Sequence, residues 1–148
     1  MKKLILLLLI PILSVGQIIK EGSRQIHLDF HTSGLIENIG ENFSKEQFKK
    51  ALKIGNVNSI NIFGKGHHGY SYYNTKIGTR HPHLKFDLLK EQIEACHEMG
   101  VTAQVYFTVG WSQKDADDHP EWILKDKNGT TNKFCLLYTS PSPRDDEL

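Results

Sequence analysis

Histidines and aromatic rings gather where apolar, strand-like runs of this sequence end. Asp29-Phe30-His31 closes one run. Lys65-Gly66-His67-His68-Gly69-Tyr70 follows a second, continues into Tyr72-Tyr73, and leads on to Arg80-His81-Pro82-His83. A third run ends in Gly110-Trp111. Imidazoles exchange hydrogen bonds with hydroxyls, and aromatic faces stack on the apolar faces of pyranose rings. Brought onto one rim, these side chains suit sugar recognition, with His31, His67, His68, Tyr73 and Trp111 as the candidate substrate-binding residues. The same histidines allow a second chemistry. His67-His68 and His81-x-His83 could ligate zinc, as in a metal-dependent hydrolase built on His67, His68 and His83. No cysteine cluster or HExxH spacing accompanies them, so no metal and no cofactor is expected. The tyrosines could equally be loop packing. Lys65 reads as an ordinary solvated lysine, His27 and His97 as surface residues, and the KKALK run at 49–53 as a solvated helix face.

The elements that must position these residues follow from periodicity. Residues 25–30 alternate Ile26, Leu28 and Phe30 with polar neighbours, which predicts a strand. A helix is expected to start at Ser44. Ser44 and Gln47 have capping-box spacing, and Phe43 and Phe48 occupy the flanking staple positions. Phe48, Ala51 and Leu52 form its apolar stripe, and Gly55 ends it. A second strand at 59–63 runs into a long loop, 64–85. A second helix at 87–99 starts on Asp87, with Leu89, Ile93 and Cys96 at core spacing. The near-continuous apolar run 102–109 reads as a third strand buried on both faces. A short helix near 114–118 and HPEWILKDKNG, ending in an Asn-Gly turn, follow.

Strand, helix, strand, helix, strand predicts an α/β fold with a parallel sheet. The turn after the first strand is His31-Thr32-Ser33-Gly34, with no GxGxxG or P-loop pattern. That favours the first three βα units of a (β/α)8 TIM barrel over a doubly wound sheet. A barrel needs eight units and about 250 residues, so the chain reads as truncated. The third strand is then expected to keep an open edge and an uncovered apolar face. The chain alone is not expected to fold stably.

Three regions are expected: a signal peptide at 1–16, β/α units at 17–133, and a foreign tail at 134–148. Lys2 and Lys3 precede an apolar run of about ten residues, too short for the ~20 a bilayer requires. Ser14-Val15-Gly16 suits cleavage before Gln17, so export to a periplasmic or extracellular space is expected, with no membrane attachment afterwards. The string CLLYTSPSPRD at 135–145 corresponds, in one reading frame, to a transposon-end adapter used in sequencing libraries. Native sequence is expected to stop near Lys133, which leaves Cys96 as a lone core thiol. Eighteen basic residues against 17 acidic ones give no basic stripe for nucleic acid. Oligomeric state is left open.

RQIHLDFHTS, FGKGHHGYSYYNTKIGTRHPH, YFTVGWS and HPEWILKDKNG together resemble the opening of bacterial barrel glycosidases. The resemblance covers about residues 24–129. It is to the hypothetical glycosyl hydrolases related to the α-L-fucosidases and, more loosely, to the α-amylase superfamily. It implies a carbohydrate substrate. In the fucosidase pattern a strand-one histidine and a Lys-His-His-Asp-Gly-Phe segment line the sugar pocket. His31 matches the first, and His67 and His68 match the histidine pair. Gly66 is inserted in the motif, and Gly69-Tyr70 stands where the family has Asp-Gly-Phe. Such enzymes use two carboxylates, which retaining members hold about 5–5.5 Å apart. In the resembling families both come later in the chain, so no catalytic residue is expected here. Asp29 suits holding a neighbour or a sugar hydroxyl. A non-catalytic carbohydrate-binding or structural protein on the same scaffold is the alternative.

Overall fold

The computed structural model describes residues 23–136; the expected signal peptide and the tail beyond 136 lie outside the described residues. The elements run β1 (Gln25–His27), α1 (Lys45–Ile54), β2 (Ser59–Lys65), β3 (Tyr70–Ser71), β4 (Thr79–Arg80), α2 (Leu88–Glu98) and β5 (Thr102–Phe107). Then come α3 (Gln113–Asp118), a 3-10 turn (Pro120–Trp122), β6 (Ile123–Lys125) and β7 (Thr131–Leu136). The fold is mixed α/β. β2 lies between β1 and β5, parallel to both, with Ile60 opposite Ile26 on one side and Ala103 on the other.

Side chains alternate across β2, and the alternation sorts its neighbours. Ile60 and Ile62 are almost wholly buried in a cluster with Leu52 of α1, Cys96 of α2 and Val101. Phe48, Leu89 and Ile93 pack against that cluster, so both helices cover this face. Truncating Ile60 or Ile62 to Ala would remove a fully buried side chain, a change that costs about 2–5 kcal/mol. The opposite face is polar near the strand starts. Gln25 Nε2 donates to Gln104 Oε1 at 2.7 Å, and Asn61 Nδ2 lies 3.0 Å from His27 Nδ1. Phe63 and Tyr106 stack further along, 4.4 Å apart.

Local signals set both helices. The Ser44 hydroxyl accepts from Gln47 N–H, Phe43 and Phe48 rings meet at 5.8 Å, and the Asp87 carboxylate accepts from Lys90 N–H at 2.9 Å. Lys45 of α1 reaches Glu94 and Glu98 of α2 at 2.8 and 3.3 Å, and Lys49 reaches Glu98 at 2.8 Å. The 49–53 run is therefore not wholly solvated, since Lys49 ties α1 to α2. Ala51, expected in the apolar stripe, is exposed.

The strands depart from expectation at their ends. β1 stops at His27, because pairing ends once Leu28 N–H has donated to Asn61 O. The 64–85 loop contains β3 and β4, which extend the sheet: β3 pairs antiparallel with β2 through Lys65 and Ser71, and β4 runs parallel to β3. β5 is not buried on both faces. Val105 and Phe107 are 46% and 47% exposed, and among the described residues β5 pairs only with β2. Cys96 is a buried free thiol, as expected of a core residue. The Asn-Gly turn closes a β6–β7 hairpin. The Asp126 carboxylate accepts from Asn128 and Thr130 N–H, and Gly129 takes φ +79°.

Candidate functional site

β2 changes register between Phe63 and Lys65, where Gly64 forms a bulge. The chain then folds back through a turn in which Gly69 N–H donates to Gly66 O at 2.9 Å. This turn presents His67 and His68. Two glycines permit it. A Cβ on Gly66 would lie 3.0 Å from Tyr72 Oη and 3.1 Å from His31 Nδ1. Gly69 has φ +88°, and a Cβ there would lie 2.5 Å from Ser112 Oγ. The insertion of Gly66 into the resembling motif thus leaves room for His31 to approach.

His31 comes from the end of the β1 segment and is locked at both nitrogens. Its Nδ1 accepts from His67 N–H at 2.9 Å, and its Nε2 lies 3.2 Å from Asp29 Oδ1. Those partners assign the Nε2–H tautomer. The His31 and His67 rings are 4.0 Å apart, and those of His67 and His68 are 4.4 Å apart. Phe63 and Tyr106 meet the His31 ring edge-on at 4.9 and 5.6 Å. Burial, with the neighbouring His67 second, lowers the His31 pKa, and Asp29 offsets this only in part. Burial also lowers that of His68, helped by His67 and His31. Both rings are therefore neutral hydrogen-bonding groups near pH 7.

Trp111 joins them. Thr108 Oγ1 donates to Trp111 O at 2.6 Å, and the indole stays 61% exposed. His67, His68, Trp111 and Gln113 line an open pocket of about 530 Å³. No carboxylate belongs to that lining, so it can bind and orient a polyhydroxylated ring but holds no acid/base pair. Tyr73 is not brought to this pocket. It lines a separate one, of about 600 Å³, with Lys65, Phe107, Asp115 and Trp122.

Three side chains of the rim segments are buried. Lys65 is only 8% exposed and forms an ion pair with Asp115, while its ammonium lies 5.7 Å from the Phe107 ring centre. It is not a solvated lysine. Tyr72, which sequence reasoning passed over in favour of Tyr73, is fully buried. Its hydroxyl accepts from Thr32 N–H at 3.0 Å and bonds Thr32 Oγ1 at 2.7 Å, which anchors the chain just after His31. His81 is buried with both nitrogens engaged: Nε2 bonds Ser33 O at 3.0 Å, and Nδ1 accepts from His83 N–H at 3.3 Å. The His81-x-His83 pair is thus a loop brace. Among the described residues, no three His, Cys, Asp or Glu side chains are placed to hold a metal ion.

The chain is similar to a known glycosidase over most of its length. α-L-Fucosidase isoenzyme 2 from Paenibacillus thiaminolyticus superposes with a TM-score of 0.72 at 45% identity over 81% of this chain. A noncanonic maltogenic α-amylase from Thermotoga neapolitana gives a TM-score of 0.48 at 18% identity over 83% of the chain. The chain spans 18% of the length of the fucosidase and 34% of that of the amylase. No functionally curated protein sequence matches it. Residues 44–145 match the family described as hypothetical glycosyl hydrolase 6. With its imidazole- and indole-lined pocket on a glycosidase-like domain, the chain belongs to the hypothetical glycosyl hydrolase 6 family.

Proposed function

We propose that this chain is the N-terminal part of an exported, retaining, α-L-fucosidase-like glycoside hydrolase, and that it supplies part of the sugar pocket but not the catalytic carboxylates. The observation that carries this reading is the tethered stack His31–His67–His68 beside Trp111, on a segment 45% identical to a fucosidase. Imidazoles exchange hydrogen bonds with sugar hydroxyls, and the exposed indole takes the apolar face of the ring. The parallel order β1-β2-β5 fits the first three strands of an eight-stranded barrel, whose active sites lie at the strand C-terminal ends. The nucleophile and the acid/base would come from later strands, about 5–5.5 Å apart if anomeric configuration is retained. Export rests on the signature at 1–16.

The test is to assay the full-length protein on aryl α-L-fucosides, β-galactosides and α-glucosides, and to read the product anomer by NMR. Turnover of a fucoside with retention is expected. Absence of turnover on all three would sink the reading. The alternative is a sugar-binding protein without catalysis on the same scaffold, since a fold does not fix function. Measurable fucose binding without turnover by the full-length protein would select it.

A further inference from the structure

We propose that Lys65 is a positioning residue for this pocket, holding the segment that carries Trp111 against the turn that carries His67 and His68. The inference rests on reading the pocket as a sugar site.

Lys65 does not line the pocket formed by His67, His68 and Trp111. It sits behind it, where the β2 bulge sets it opposite Phe107 of β5. Its ammonium pairs with Asp115 in the first turn of α3, and Asp115 Oδ2 also accepts from Ser112 Oγ at 2.6 Å. Ser112 stands at the N-cap of α3, yet its hydroxyl makes no capping bond to the helix backbone, because it is committed to Asp115. The free N–H groups at the start of α3 are satisfied from elsewhere. Gln113 N–H donates to His67 O at 3.0 Å, and Lys114 N–H donates to His68 O at 3.1 Å. Lys65 itself closes the circuit: its carbonyl accepts from Thr108 N–H at 3.1 Å, and Thr108 Oγ1 holds Trp111.

The histidine turn and the 108–115 segment are therefore one hydrogen-bonded unit, and among the described residues Lys65 is its charged anchor to the sheet. A buried cation is required because Asp115 is itself largely buried and would otherwise turn out to water. Loss of the pair would free Ser112 to cap the helix locally. The two backbone bonds to His67 and His68 would weaken, and Trp111 would drift from the imidazoles.

The experiment uses the full-length protein with Lys65→Met, Lys65→Arg and the double variant K65M/D115L, which leaves no unpaired buried charge. Amide hydrogen exchange is followed at Gln113 and Lys114, and kcat and KM are measured on p-nitrophenyl α-L-fucoside. In Lys65→Met, exchange at these two amides is expected to quicken about tenfold or more while β2 amides stay protected. KM is expected to rise about tenfold, a larger change than the fall in kcat. Lys65→Arg should restore both within about threefold, since guanidinium can span the same pair. K65M/D115L should melt like the wild type and keep the fast exchange and the raised KM. Unchanged exchange at Gln113 and Lys114 in Lys65→Met and the double variant would overturn the inference, as would an unchanged KM. If the wild type neither cleaves nor binds any sugar, the hydrolase reading fails, and the exchange data still decide whether Lys65 holds the segment.

Discussion

The Nδ1 of His31 accepts a hydrogen bond from the backbone N–H of His67 at 2.9 Å, and the two rings lie 4.0 Å apart. One residue from the β1 end thereby fixes the turn that presents two others. Its ring also contacts Phe63 and Tyr106, so the orientation is set by packing as well as by hydrogen bonding. His31→Ala in the full-length protein should leave the His67 N–H without an acceptor. A loss of about 1–3 kcal/mol is expected from chemical denaturation. Sugar affinity, measured by calorimetry with L-fucose, should fall further than that stability loss alone accounts for. Wild-type affinity in a destabilised variant would show that His31 braces the fold without shaping the pocket.

Gly69→Ala should be more damaging than Gly66→Ala. At Gly69 a side chain meets both a positive φ and the Ser112 hydroxyl at 2.5 Å. At Gly66 the contacts, 3.0–3.3 Å, ask only for small shifts of Tyr72, His31 and the Phe30 carbonyl. A loss of at least about 2 kcal/mol is expected for Gly69→Ala, summing left-handed strain and overpacking. For Gly66→Ala a smaller loss and a measurable drop in sugar affinity are expected, because His31 must move. Denaturation midpoints and fucose titrations on the two variants check the order.

The parts of this fold written in short-range patterns were legible in the sequence. Ser44 with Gln47, Asp87 before Leu88, and Asn128-Gly129 each carry their own capping or turn chemistry, and the structure uses all of them. Long-range features were not legible. The burial of Lys65 depends on a bulge at Gly64 and on a carboxylate fifty positions later. β3 and β4 are two-residue strands that exist only because Ser71 pairs with Lys65, so no periodicity announces them. The tyrosines lie in the bend after β3, where no periodicity sorts them: Tyr72 is buried against Thr32, while Tyr73 lines another pocket. His31, His67 and His68 were legible as neighbours because they follow successive parallel strands, but His81 as a brace needed the Ser33 carbonyl to be seen.

Trp111→Ala should separate binding from folding. The indole is 61% exposed, so stability should change by less than about 0.5 kcal/mol. Fucose affinity should fall about tenfold, or about 1.4 kcal/mol, if the ring stacks on a sugar face. Equal affinity in wild type and variant would remove Trp111 from the sugar site.

The 148-residue chain expressed alone is expected to melt without a sharp cooperative transition. Val105, Phe107 and Val109 are 46%, 47% and 69% exposed, and β5 presents an unpaired edge among the described residues. Apolar edge strands of this kind recruit other chains. Calorimetry and light scattering provide the check: a reversible, cooperative endotherm from a monomer would refute the expectation.

Acidification should destabilise the protein through three imidazoles, buried His81 and half-buried His31 and His68. Burial is the leading cause that lowers the pKa values of His31, His68 and His81 below the ordinary 6.5. At His81 the Ser33 carbonyl raises the value and His83 lowers it, without reversing the direction. The unfolded chain thus binds protons at a pH where the folded chain does not. Stability rises with pH wherever the unfolded state holds more protons, so it is fully present above about 6.5 and falls as pH drops below that value toward the folded pKa values. The denaturation midpoint of the full-length protein should therefore be flat from about pH 7 to 8 and decline from about 6.5 to 5. His81→Gln removes one of these groups and should make the decline shallower, even though it lowers the plateau by leaving Ser33 O or His83 N–H poorly paired. An equal slope in wild type and His81→Gln would mean that His81 binds protons alike in the folded and unfolded states, against the direction its burial sets.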